Sequence, residues 1–330
     1  VPGIGVGRGN QLAGPLTSRI GARPAVIVGG IGQAVLLPFL AFAPDIWTMA
    51  AALLLFGAFL GVIEVGMNVH AVEVEKRADR PLMSGFHGLF SVGGFIGASM
   101  MTLALSAGLI AVTGAIVAAA LMIGILTLAA PRFILTPKAE ETPLFVVPRG
   151  IVILLALLAA LTFLTEGAIL DWGALLLNGK GLVPTAQAGL GYSVFAITMT
   201  FGRLTGDAVV ARLGDRRTML WGGMLAIIGY VVLLTAPVAM AAFVGFMLIG
   251  LGASNTVPVL FRQAGAQTAM PSGLAIASVT TVGYAGILAG PAGVGFVAQA
   301  IGLPNAFWML AAMLLLVPLY AGIATAATKN

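Results

Sequence analysis

The sequence predicts an all-α membrane protein made of two related helical bundles, and three observations carry the prediction. Hydrophobic residues make up 60% of the 330 positions and charged residues 8%, with a mean hydropathy of +1.09; a typical soluble domain has about 25% charged residues. The apolar residues run in long stretches over the whole chain, of the length that crosses a hydrocarbon core of about 30 Å as a helix. Landmarks of the first part also return in the second at a nearly constant offset. Stretches such as Trp47 to Val62 and Ile151 to Leu164 are apolar on every side, whereas barrel strands alternate, so the spanning elements are helices.

Turn residues and charges divide the chain into spans. The first is a partial helix ending near Leu16; full spans are expected at 24–43, 47–72, 83–106, 108–130, 150–177, 185–211, 217–236, 238–262, 272–300 and 304–326. Between them, links rich in arginine and lysine alternate with links that have none. Arg19 and Arg23, then Lys76, Arg77 and Arg80, then Arg132, Lys138 and Arg149, then Arg212, Arg216, Arg217 and Arg262 fall on one side. Links at 44–46, 106–108, 236–237 and 302–305 fall on the other, where Lys180 is the exception. The positive-inside rule makes the basic side, with Lys329, cytoplasmic. The expected location is the inner membrane, with several passes and a cytoplasmic C-terminus.

Residues 133–149 form the one polar linker of any size and separate an N-terminal bundle, 1–132, from a C-terminal bundle, 150–330. Arg19-Ile20-Gly21-Ala22-Arg23 returns as Arg212-Leu213-Gly214-Asp215-Arg216, Gly61 to Glu64 as Gly252 to Asn255, and Ser84 as Ser272. A duplicated bundle follows. Aligning Gly21 with Gly214 implies about 40 residues, one span and part of another, ahead of Val1. The chain is therefore expected to be an interior portion of a twelve-helix protein, holding ten full helices and a remnant.

Several classes are disfavoured. The net charge of +5 and pI near 10 do not gather into a basic patch with interleaved aromatics, so nucleic acid is not an expected partner. There is no cysteine, and His70 and His87 are the only imidazoles, which leaves little for a transition metal. No phosphate-binding Gly-x-x-x-x-Gly-Lys-Ser motif occurs, and no cofactor is expected.

Two six-helix halves, a short linker and the Gly-x-Arg link after the second helix of each half resemble the major facilitator superfamily. Of its link motif, Gly14, Leu16, Arg19, Gly21 and Arg23 match, while Ser18 and, in the second half, Ala211 stand where the acid is expected, with Asp207 and Asp215 nearby. A closer likeness lies in Glu64-Val65-Gly66-Met67-Asn68 and in Arg80-Pro81-Leu82-Met83-Ser84-Gly85-Phe86-His87-Gly88. These stretches, with Glu166-Gly167, Asp171-Trp172, Gly202 to Asp207 and Gly290-Pro291, are similar to the fucose permease branch and allied bacterial inner-membrane transporters. The resemblance implies a major facilitator fold. It also implies a proton- and sugar-handling role for the acid matching Glu64 and the asparagine one turn later.

Read from the residues themselves, Glu64 lies well inside an apolar helix, where an ionised carboxylate costs several kcal/mol, which marks it for proton coupling. Asn68 shares its face at i+4 and, with Glu166 and Asn255, is a candidate solute contact. The alternative for Glu64 is a structural acid bonded to Asn68. Glu166 and Asp171 point about 140° apart on a helix of 3.6 residues per turn, so Glu166 is expected to face the interior and Asp171 the outer interface. Asn255 holds in the second half the place of Glu64 in the first, three residues before the helix-bending Pro258; an interhelical hydrogen bond is its alternative. Arg203 and Asp207, spaced to pair at i, i+4, form with Arg19, Arg23, Arg212 and Arg216 a charged rim expected to gate rather than bind. His70 and His87 read as packing residues. Glycines at four-residue spacing, Gly57 with Gly61, Gly93 with Gly97 and Gly286 with Gly290, permit close helix approach.

The function expected from all this is secondary transport of a small polar solute, possibly a sugar, by alternating access around a midplane cavity, with H⁺ as the coupling ion. The protein is expected to work as a monomer. Export of amphipathic compounds and a non-transporting membrane assembly role are the alternatives. An enzyme is not expected, since no cluster of acids and histidines is in view.

Overall fold

The computed structural model describes residues 19–136 and 147–326; the expected remnant ending near Leu16, with Gly14, Ser18, Lys138 and Lys329, lies outside the described residues. Among those described the chain is helical and has no strand. The helices are α1 (Ala22–Phe42), α2 (Ile46–Ala78), α3 (Met83–Ser106), α4 (Ala111–Ala129), α5 (Ile151–Gly179), α6 (Leu190–Thr235), α7 (Ala239–Ala253), α8 (Thr256–Ala266), α9 (Ser272–Ile301), α10 (Leu303–Leu314) and α11 (Leu316–Ala324).

Nine helical stretches among the described residues are long and apolar enough to cross a membrane. One of them, Thr185–Thr235, has 51 residues, about 77 Å at 1.5 Å per residue and too long for one crossing. It breaks at Gly214, φ 75°, ψ 162°, where the sequence places a link between two spans. Gly21, the equivalent residue of the first repeat, has φ 89° and ψ 159° just ahead of α1. Side chains with a Cβ are essentially barred from this region. The two repeats thus share a backbone turn as well as a sequence pattern.

Breaks elsewhere have equally local causes. Pro258 lacks the N–H that would bond Ser254, and the helix is interrupted between Ala253 and Thr256 with Asn255 at the break. Pro318 does the same for Leu314, between α10 and α11. Asp45 starts α2, its carboxylate accepting the N–H groups of Trp47 and Thr48, each at 2.9 Å. The helix ends at Asp79 in the left-handed region, with Lys76 and Arg77 in its last turn.

The chain divides into two compact units, 1–79 with 90–149 and 268–281, and 80–89 with 150–267 and 282–330. In the first unit α1 packs on α2 and α4. The approach to α2 is close enough that a Cβ on Gly29 would lie 2.8 Å from the main-chain nitrogen of Ile63. In the second unit the bent α6 packs on α7, α10 and α11, and α5 on α8. Gly252 of α7 meets the main chain of Ala226 so closely that a Cβ would sit 2.4 Å from its nitrogen. Such small-residue contacts replace the hydrophobic driving force that lipid cannot supply. Tyr230, Phe246, Phe261 and Phe307 are the largest side chains buried in this unit. Residues 83–89 of α3 belong with the second unit and residues 272–281 of α9 with the first, so the helices that carry Ser84 and Ser272 in their first turns behave alike.

Candidate functional site

In the first unit, Glu64 and Asn68 lie on α2 and are 6% and 3% exposed. The Asn68 side-chain amide donates to the main-chain carbonyl of Glu64 at 2.8 Å, a helical i−4 contact that leaves the carboxyl to other neighbours. Val65 packs in a small cluster with Ala277, Val62 and Val69. A Cβ on Gly66 would meet Ala25 and Val26 at 3.1–3.2 Å. The helix residues next to the acid are therefore apolar and close-packed.

The second unit contains the other acids of interest. Arg203 of α6 reaches both carboxylate oxygens of Glu166 on α5 through Nη2, each at 3.4 Å, with the two side chains 10% and 15% exposed. Asp171, as expected from its angle on the helix, is exposed. One turn beyond Arg203, the Asp207 carboxylate accepts the main-chain N–H groups of Ser84 at 2.9 Å and Gly85 at 2.8 Å. These are first-turn donors of α3 with no partner inside their own helix, and the positive end of the helix dipole faces the acid. Arg203 and Asp207, one turn apart on α6, thus also reach two other elements, α5 and the start of α3.

Asn255, at the break between α7 and α8, donates to the main-chain carbonyl of Gly202 at 3.2 Å and to Ser254 Oγ at 3.0 Å. Its Oδ1 rests on Gly206, where a Cβ would fall 1.8 Å from that oxygen and 2.7 Å from the Ser84 Cβ. An interhelical hydrogen bond is thus present, and Gly206 is the point at which α6, the start of α3 and the Asn255 break converge. His87 stacks on Phe261, ring centroids 5.6 Å apart at 26°, in keeping with a packing residue.

At the charged rim, Asp215 accepts from Arg262 Nη1 and from Gln263 Nε2, the latter at 2.6 Å. Arg19, Arg212 and Arg216 are exposed and Arg23 half-buried. Among the described residues no group of three or more histidines or acids is placed to hold a metal ion.

Four participants escape a reading of the sequence. Arg262 is visible only as a topological charge, yet it ties the bend of α6 to α8. Ser84 and Gly85 act through their main-chain amides, for which side-chain identity gives no signal; the recurrence of Ser84 as Ser272 is the one clue. Lys180, the exception to the charge rule, donates to the carbonyls of Leu233 and Leu234 at 3.4 and 2.5 Å, where a cation satisfies the last carbonyls of α6.

The family model of the Major Facilitator Superfamily matches residues 1–264. An uncharacterized MFS-type transporter of Yersinia pestis is 48% identical over 318 residues, covering 96% of this chain and 82% of that protein. Among solved structures, the E. coli fucose:proton symporter is similar with a TM-score of 0.77 at 15% identity, covering 97% of this chain and 89% of its own. The human organic anion transporter is similar with a TM-score of 0.78 at 17% identity, covering 97% and 82%. At those identities the solved structures share the fold with this chain, and their solutes are their own.

Proposed function

The chain belongs to the Major Facilitator Superfamily and is a multi-pass membrane transporter, not an enzyme; from that premise we propose that it carries a small polar solute, with sugars the first class to test, by alternating access coupled to protons through Glu64. The observation that carries the proposal is the burial of Glu64 inside α2. An ionised carboxylate in such a place costs several kcal/mol, and membrane proteins keep such groups for ion or substrate pathways. The protonated acid suits a buried position in an apolar helix, and exchange of its proton needs access to water or solute, which is the behaviour alternating access requires. Asn68 and Glu166 are the proposed polar contacts for the solute. Asn255 combines its hold on α6 with a contact to the solute.

Gating follows from the rim. Asp207 holds the first turn of α3 through two amides, and Asp215 holds α8 through Arg262 and Gln263; releasing these contacts is the proposed motion that opens the basic side. Arg19, Arg23, Arg212 and Arg216 then serve as the exposed charges of that rim, and Arg203 as the buried one. The basic links set the C-terminus in the cytoplasm by the positive-inside rule, in the inner membrane.

The test begins with a thermal-shift screen of the purified protein against fucose, xylose and other sugars. The sugar that raises the melting temperature is then followed in proteoliposomes with an imposed pH gradient. Accumulation driven by the gradient supports the proposal, and uptake that only equilibrates removes the proton. A second reading, export of amphipathic anions, is favoured by the buried guanidinium of Arg203 and by the organic anion transporter among the structural neighbours. Gradient-driven loss of an aromatic carboxylate from the same vesicles, with no sugar response, would select it.

A further inference from the structure

Four consecutive residues at the start of the linker, Phe133 to Thr136, are each fastened to the ends of α1 and α2 within the first unit. The Phe133 ring meets the His70 ring edge-on, centroids 5.2 Å apart at 64°. The Ile134 N–H donates to His70 Nε2 at 3.1 Å. The Leu135 carbonyl accepts from Arg77 Nη2 at 2.8 Å. Thr136 Oγ1 accepts the N–H of Ala22, in the first turn of α1, at 2.8 Å. Two of the four contacts fall on one imidazole. An imidazole nitrogen that accepts a hydrogen bond carries no proton, and the doubly protonated ring has only donors.

We propose that His70 is a pH-operated latch for the linker: neutral, it holds residues 133–136 against α1 and α2, and protonated, it lets them go. This role is independent of the transport reading. Among the described residues, the charges acting on the ring are Arg77 and Glu73 of its own helix, themselves paired at 3.1 Å. The strap has no titratable side chain, and α1 brings Arg23 to this end of the unit. Protonation therefore removes the acceptor for Ile134 and sets a second cation beside Arg77, which also holds Leu135. Histidine is the side chain whose charge changes between pH 5 and 8, and by the charge rule this end of the helices faces the cytoplasm.

The absence of cysteine from the chain permits a direct test. Leu135→Cys places a single thiol on a side chain that is 70% exposed and leaves the main-chain carbonyl in place. A nitroxide attached there, in the full chain reconstituted in nanodiscs, reports strap mobility by electron paramagnetic resonance. The label is expected to be immobile at pH 8 and to gain mobility as the pH falls toward 5.5. The docking equilibrium should shift on the order of fivefold to tenfold, the worth of one hydrogen bond. With His70→Gln, whose amide oxygen accepts but does not titrate, the label should stay immobile throughout. With His70→Phe, which keeps the ring and loses the acceptor, it should be mobile already at pH 8. A label at Val238→Cys serves as control for general unfolding. A label mobile at pH 8 in the parent, mobility independent of pH there, or an unchanged pH response in His70→Gln would each overturn the latch.

Discussion

Glu166 and Glu64 are both acids inside membrane-spanning helices, and their surroundings differ in kind. Glu166 faces a guanidinium on another helix, at 3.4 Å from each carboxylate oxygen. Glu64 is 6% exposed on α2, and the Asn68 amide beside it is turned to the main chain. An acid matched to a cation across two helices ties those helices together when no solute is bound. Glu64 is buried in an apolar helix, and the cost of several kcal/mol for an ionised carboxylate there is what marks it for function.

Unpairing Glu166 has the largest expected effect. Arg203→Ala leaves a carboxylate in a site 15% exposed, and breaking a buried pair on one side costs about 3–5 kcal/mol. Denaturation in detergent should show that loss, and the double variant Arg203→Met, Glu166→Leu should recover most of it. Equal losses in the single and the double variant would mean that the pair does not act as a buried charge pair. Next in size is Gly206→Ala, whose methyl would fall on Asn255 Oδ1; overpacking of this kind costs about 1–3 kcal/mol, read as a drop in melting temperature. Asp207→Ala removes an acid from a helix N-terminus and should cost about 1–2 kcal/mol, with Asp207→Asn in between.

The smallest effect sharpens the contrast with an acid in water. Asp45 caps α2 from a link between spans, and its pKa lies below the ordinary carboxylate value. The Thr48 N–H is the main cause, followed by the Thr48 hydroxyl, with burial opposing and the Trp47 N–H adding least. The folded state thus favours the ionised form. The stabilisation is present above the unfolded-state pKa and is lost as the pH falls through the lower, folded value. The melting-temperature gap between the parent and Asp45→Ala should therefore be small at pH 7 and close in acid.

Much of the architecture was legible because lipid imposes it residue by residue. Apolar length located the spans, the link at Gly214 was visible from its arginines and from its twin at Gly21, and Pro258 announced the break beside Asn255. The tertiary partners were not legible. Glu166 meets Arg203 across 37 positions and Asp215 meets Arg262 across 47, and helical periodicity gives each residue's face but not which faces meet. Glycine spacing shows the same limit. Gly286 approaches α5 so closely that a Cβ would lie 2.1 Å from the Ala160 carbonyl oxygen, while Cβ atoms on Gly93 and Gly97 would meet nothing within 4 Å among the described residues. One motif serves a tight helix crossing in one place and an open face in the other. Lys180 departs from the charge rule because its ammonium is spent on helix carbonyls.

The account rests on Glu64 exchanging a proton as the solute moves, and one paired measurement on Glu64→Gln addresses that directly. In proteoliposomes loaded with the sugar identified by thermal shift, the variant should exchange labelled for unlabelled sugar at close to the parental rate. It should fail to accumulate that sugar against a gradient when the pH differs across the membrane. Full accumulation by the variant would contradict the account.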